Sequence, residues 1–213
     1  QVAHTLAGRT HFEHRTVITA SQLPNLAAGQ LPITHATSGK TAFLYAGQGA
    51  QHAGMGRHLY QQHPVFAETI NTIGAELGLD LPALMWGNRT DELDQTINTQ
   101  PVLFAYETAL HQLLTSHGVT PDYLTGHSIG EITAAHVSGI LTLADACTLV
   151  TARARLMNSL PAGGAMLTVH TNRDAITDHL DDVTIAAINS PNSLVLAGTT
   201  TAIDQVNTRL VAP

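Results

Sequence analysis

The 213 residues predict an α/β fold, with a larger part built on a parallel sheet and a smaller β-α-β-β-α part after it. Three observations carry that prediction. Gly126-His127-Ser128-Ile129-Gly130 lies between a short strand, Pro121 to Thr125, and a helix over Glu131 to Val137 that carries Ile132, Ala135 and Val137. Thr41 to Tyr45 is a compact apolar strand that breaks into the glycine-rich loop Ala46-Gly47-Gln48-Gly49-Ala50-Gln51. From Gly163 the texture becomes strand (165–169), helix (174–180), strand (183–188), strand (193–197) and helix (202–210). That order is an incomplete ferredoxin-like unit, without its final strand.

The remaining elements follow from spacing and punctuation. Residues 1–20 hold Val2, Leu6, Phe12, Val17 and Ile18, the second half alternating as a strand does. Residues 21–40, rich in Pro, Gly, Ser, Thr and Ala, read as a connector, so the first forty residues look like the tail of a preceding region. Phe66, Ile70, Ile73 and Leu77 repeat at helical spacing, and Gly78 ends that helix. A longer helix runs from about Pro101 to His117, with Leu103, Tyr106, Leu110, Leu113 and Leu114 on a core-facing stripe and Gly118 as its stop. The helix after Ser128 ends near Gly139. Thr142 and Asp145 then form a capping pair for a helix that holds Leu149, Val150 and Arg153 and continues to about Asn158.

Composition narrows the function classes. A formal net charge of −7 with only 9 Lys plus Arg argues against nucleic acid or an anionic membrane as the main partner. No apolar run approaches the ~20 residues of a membrane span, and no charged segment followed by an apolar core opens the chain. With its single cysteine, Cys147, which reads as a packing residue, the protein is expected to be soluble and cytoplasmic. The thirteen histidines are scattered. His11 and His14 come nearest to a ligand pair, but they lack a third partner, so no metal is expected.

The chemistry centres on Ser128. A serine in a sharp strand-to-helix turn adopts a strained backbone that flanking glycines make room for, and its hydroxyl points out above the sheet edge. The amide of Ile129 lies at a helix N-terminus, where an unsatisfied N–H and the helix dipole both favour an oxyanion. Gly-x-Ser-x-Gly also occurs in ordinary turns, and Gln48 alone reads as a plain turn residue, so context decides.

In their order along the chain, Gly47-Gln48-Gly49-Ala50-Gln51, Gly126-His127-Ser128-Ile129-Gly130-Glu131, Arg153-Ala154-Arg155-Leu156-Met157 and Asn189-Ser190-Pro191-Asn192 resemble the malonyl-CoA:acyl-carrier-protein acyltransferase family, specifically the acyltransferase domain of modular polyketide synthases. The resemblance covers residues 41–213, and Arg9-Thr10-His11-Phe12-Glu13-His14-Arg15 resembles the linker from a ketosynthase. It implies a linker tail over 1–40, the N-terminal part of an α/β-hydrolase-like large subdomain over 41–160, and an incomplete ferredoxin-like small subdomain over 161–213. It implies ping-pong transfer of a dicarboxylyl group from CoA to a carrier-protein phosphopantetheine thiol through a Ser-linked acyl-enzyme, with no permanently bound cofactor.

Residue by residue, the resemblance makes Ser128 the nucleophile and the backbone amides of Gln48 and Ile129 the oxyanion hole. Arg153 matches the arginine that grips the free malonyl carboxylate, a bidentate task suited to its planar fork. A surface pairing with Asp145 or Glu131 is the bland alternative. His127 is expected at the wall of the site and Gln100, within Thr96-Ile97-Asn98-Thr99-Gln100-Pro101, near the substrate. Ile129 after the serine points to malonyl rather than methylmalonyl units. The family's general base is a histidine beyond the small subdomain with no counterpart here, so these residues alone are expected to be deficient in catalysis. His52 is a weak substitute. The implied partners are an acyl carrier protein, an adjacent ketosynthase and acyl-CoA. Two other readings stay open: a serine esterase or thioesterase, which has no use for Arg153, and a non-catalytic remnant.

Overall fold

The computed structural model describes residues 10, 12–176 and 182–211. The chain divides into two compact units, one of residues 1–94 and 98–150 and one of residues 95–97 and 151–213. Val2, Leu6 and His11 lie outside the described residues, as do positions 177–180 of the helix expected over 174–180.

The first unit opens with a minimal antiparallel pair, β1 (His14–Arg15) against β2 (Thr34–His35), with a short helix, α1 (Leu23–Ala27), between them. The strand-like second half of residues 1–20 forms a strand only at His14–Arg15 and does not extend through Val17 and Ile18. Val17 is 98% exposed, so its alternation has no face to bury against. The connector, for its part, contains α1, with Pro24 in its first turn, where the missing N–H costs nothing.

β3 (Ala42–Tyr45) and β4 (Tyr123–Gly126) then pair in parallel, in the register Ala42↔Tyr123 to Tyr45↔Gly126. Between them run α2 (Arg57–Gln62), α3 (Pro64–Leu77), α4 (Leu81–Trp86) and α5 (Thr96–Ser116). α3 buries Phe66, Ile70 and Ile73, and Gly78 closes it in the left-handed conformation at φ 65°. Asp80 caps α4 by accepting the Ala83 amide at 3.0 Å.

α5 begins at Thr96 rather than at Pro101. A proline removes the N–H that would bond four residues back, here toward Ile97, and its ring crowds that carbonyl, but at Pro101 this falls in the second turn of the helix. The side chains of Asn98 and Thr99 meanwhile donate to the carbonyls of Glu92 (3.0 Å) and Leu93 (2.6 Å), tying the early turns to the preceding loop. α6 (Ile129–Val137) and α7 (Leu143–Asn158) complete the run. Thr142 caps α7 as expected: its hydroxyl donates to Asp145 Oδ2 at 2.7 Å and accepts the Asp145 amide at 3.1 Å. The core joins Phe66, Ile70, Leu84, Met85, Phe104, Ile129, Cys147 and Val150.

The second unit is a three-stranded antiparallel sheet in the order β5-β7-β6, with β5 (Gly164–Val169), β6 (Val183–Ser190) and β7 (Ser193–Thr199). α8 (Arg173–Ile176) and α9 (Thr200–Val211) accompany it. Alternation puts Leu194 and Leu196 of β7 fully inside, and Ala202, Ile203 and Val206 of α9 at helical spacing meet them there. The α-β assignments for 164–211 thus hold within the described residues. No described helix is long and apolar enough to cross a membrane.

Candidate active site

β4 ends at Gly126 and α6 begins at Ile129, leaving two residues to reverse the chain. Ser128 takes the strain, at φ 58° and ψ −112°, and among the described residues no other non-glycine has positive φ. Such a conformation costs about 1–3 kcal/mol and persists only where the surroundings impose it. Here they do. A methyl group at Gly126 would overlap the Gly130 carbonyl, and one at Gly130 would overlap the Tyr45 carbonyl. Both glycines let backbone touch backbone around the serine.

The parallel register places Tyr45 beside Gly126, so Gln48 and Ile129 each follow three residues past the ends of neighbouring strands. The two loops are joined directly: the His127 amide donates to the Tyr45 carbonyl at 2.9 Å. Gly47 packs so close to His127 that a Cβ there would lie 2.5 Å from Nδ1 and 3.2 Å from the carbonyl oxygen. The glycine loop is braced from its far side as well. Gln51 accepts the Gly49 amide at 2.7 Å and donates to Asp94 at 2.9 Å.

Past the serine, the amides of Gly130 and Glu131 turn back onto the carbonyls of His127 (3.0 Å) and Ser128 (3.1 Å). The Ile129 amide opens the helix, a position without an intrahelical acceptor. The Ile129 side chain is fully buried and anchors the turn in the core, while Gln48, His127 and Ser128 are exposed. The arrangement presents a hydroxyl to solvent beside a helix N-terminus, as nucleophilic acyl transfer requires.

A buried polar layer lies beneath the two loops, and the sequence reading passed over it. Glu107 and His111, one helical turn apart on α5, are both buried. His111 Nδ1 shares a 2.7 Å hydrogen bond with the Tyr45 hydroxyl. Glu107 Oε2 accepts from Thr133 of α6 at 2.8 Å, and the backbone N–H of Ala46 also donates to the carboxylate. Burial nevertheless pushes Glu107 up to about 7 and Tyr45 up to about 12, and it pulls His111 below the usual histidine value. These residues line a cavity of about 320 Å³ with Phe43, Met55 and Tyr106. The available signal was a glutamate and a histidine four apart in a helix otherwise read as an apolar stripe.

The other expected residues stand as follows. Gln100 is fully buried on α5, and Arg153 is half-buried on the part of α7 that belongs to the second unit. His52 accepts the Met55 amide at 3.1 Å through its carbonyl. Cys147 sits in the core of the first unit, and burial drives its thiol up to about 11. His14 stacks edge-on against His35 at 5.1 Å, and the described residues contain no cluster of three metal-ligating side chains.

The family profile described as an acyl transferase domain matches residues 42–212. The chain belongs to the acyl transferase domain family. This acyl transferase chain is 44% identical over 228 residues to the mycoketide-CoA synthase of Mycobacterium tuberculosis, covering 99% of the chain and 6% of that protein. Among solved structures, the acyltransferase domain from the second module of the salinomycin polyketide synthase superposes with a TM-score of 0.86 at 48% identity, over 93% of this chain and 51% of that one. FabD from Acinetobacter baumannii gives 0.74 at 37% identity, over 80% and 57%. The chain therefore spans about half the length of these solved relatives. Its α/β fold is theirs, and it belongs with acyltransferases of the polyketide synthase and malonyl transacylase kind.

Proposed function

We propose that this acyltransferase chain moves a malonyl-type unit from CoA to the phosphopantetheine thiol of an acyl carrier protein. Ser128 attacks the thioester carbonyl, the new C–O bond forms as the C–S bond breaks, and CoA leaves as the thiol. The serine proton goes to a histidine that in the family lies beyond the small sheet. The amides of Gln48 and Ile129 receive the oxyanion, at equal offsets past two paired strands. Arg153 holds the distal carboxylate through paired N–H donors, His127 walls the acyl pocket and Gln100 supports it from within. The carrier thiol then attacks the Ser128 ester and regenerates the enzyme.

The observation that carries this reading is the forced positive φ of Ser128 against the glycine loop. The architecture assigned to it is an α/β-hydrolase-like part over 41–160 and a ferredoxin-like part over 161–213. The β-α-β-β-α order of the second unit supports the latter. A carrier-protein acceptor is consistent with a similar solved complex, a type II polyketide synthase acyl-carrier protein with its malonyl-transacylase, at 30% identity and a TM-score of 0.73. Residues 1–40 serve as a linker from a ketosynthase, and the setting is the cytoplasm.

The test is incubation of the full chain that carries these residues with labelled malonyl-CoA, followed by mapping of the label. Label is expected on Ser128 and none in Ser128→Ala. Equal labelling of that variant would reject the nucleophile. Arg153→Ala is expected to lose roughly 10–100-fold of the preference for malonyl over acetyl donors, the scale of a charge-assisted bidentate pair. An unchanged preference would remove Arg153 from the site.

A further inference from the structure

The oxyanion donors proposed above come from two separate loops, and their spacing must hold to a fraction of an ångström for the anion to be caught. Direct backbone contact sets the loops side by side, through His127 to Tyr45 and through Gly47 and Gly130. One side chain bonds to both: Glu107 takes the Thr133 hydroxyl at 2.8 Å and the Ala46 N–H.

Each of those partners is close to a donor. Ala46 is two residues before Gln48, and Thr133 is one helical turn after Ile129. The strut itself is rigid. Glu107 is 7% exposed on a 21-residue helix, and one turn on, His111 holds the Tyr45 hydroxyl at 2.7 Å, so α5 grips the end of β3 twice. Glu107 Oε1 has no partner among the described residues. Burying a carboxyl with one oxygen unsatisfied is costly, and an apolar residue of similar size would avoid that cost.

We propose that Glu107 is a positioning residue, a buried carboxyl that locks the glycine loop to the nucleophile helix and so sets the distance between the two oxyanion donors. This rests on the acyl-transfer reading of Ser128. It assigns Glu107 no contact with substrate.

The experiment measures single-turnover acylation of Ser128 by malonyl-CoA in the full chain for wild type, Glu107→Ala, Glu107→Gln and Thr133→Val, with thermal unfolding and amide hydrogen exchange on each. Misplacing a donor by about an ångström costs on the order of 100-fold. Glu107→Ala is therefore expected to lose roughly 10–100-fold in acylation rate at saturating donor, with the half-saturating malonyl-CoA concentration within about threefold of wild type. Exchange should quicken at the His127 and Gly130 amides, whose hydrogen bonds tie the two loops and the turn together. Glu107→Gln keeps one acceptor oxygen in the same shape and is expected within about threefold of wild type. Thr133→Val cuts the other tether at constant volume, and its double with Glu107→Ala should be no slower than the slower single.

Glu107→Ala acylating at the wild-type rate would overturn the proposal, as would a Thr133→Val loss that simply adds to that of Glu107→Ala. If Glu107→Ala does not fold, Thr133→Val with wild-type rate and exchange overturns it. Failure of the acyl-transfer reading looks different, because then wild type itself carries no label on Ser128.

Discussion

In the first unit Gly130 stands where a methyl would run into the Tyr45 carbonyl, while Gly164 in the second unit meets nothing closer than the Gly198 oxygen at 4.0 Å. The same residue type serves opposite ends of the packing scale. Around Ser128 the main chain of β3, β4 and α6 is pressed together, and the serine is held in a conformation it would not choose. The antiparallel sheet of the second unit is less compressed: a Cβ at Gly198 would meet the Val183 side chain at 2.9 Å and the Asp182 carbonyl at 3.1 Å, while β7 alternates Leu194 and Leu196 inward and α9 covers them. Backbone strain at Ser128 and the buried polar residues are concentrated in the first unit, and hydrophobic alternation builds the other.

The sharpest way to break that contrast is a pair of alanines. Gly130→Ala is expected to destabilise the first unit by more than about 3 kcal/mol, since backbone cannot be displaced cheaply. Gly164→Ala should change stability by no more than about 0.5 kcal/mol, because it has room and a strand prefers a side chain. Denaturant unfolding followed by a probe in each unit checks both. Similar losses at the two sites would show that crowding around the elbow is not what sets it apart.

Next in size is the pH dependence of Glu107. Its folded value, about 7, lies above the ordinary 4.5, so the neutral acid is favoured by folding. The stability this gives is complete below pH 4.5 and disappears as pH rises through about 7. The groups around it are Thr133, the Ala46 N–H and Tyr45, and the last stays neutral throughout that range. Glu107→Gln should flatten the profile, gaining up to about 3 kcal/mol on wild type between pH 4.5 and pH 8. Urea midpoints at the two pH values measure the gain, and parallel profiles for the two proteins would exclude a buried, titrating Glu107.

The smallest expected effect is local. Thr142→Ala removes the cap of α7 and should cost about 1 kcal/mol, with faster amide exchange at Asp145 and its neighbours. An unchanged exchange pattern there would mean that packing, not the cap, defines the start of α7.

Much of this was legible in advance because the signals were local. The helix over Phe66, Ile70, Ile73 and Leu77, its stop at Gly78, the Thr142 cap and the strands after Gly163 all depend on residues a few positions apart. The Ser128 turn belonged to the same class, since its glycines and flanking elements sit within a dozen residues. The start of α5 did not. Pro101 reads as a first-turn residue, and only the hydrogen bonds of Asn98 and Thr99 to the preceding loop reveal that the helix is already under way. The strand-like pattern before residue 20 stops short for the converse reason: β1 ends at Arg15, and beyond it Val17 has no face to cover.

Periodicity and turn chemistry by themselves determined the α/β order, the sharp strand-to-helix turn at Ser128 and the glycine loop, because each is written in neighbouring residues. They could not determine that Tyr45 pairs with Gly126, that Gly47 lies on His127, or that Glu107 spans from Ala46 to Thr133. Those partners are tens of residues apart in the chain. A helix pattern records which face is apolar, but only the folded arrangement decides which polar group on that face is sealed in and what it must then hold.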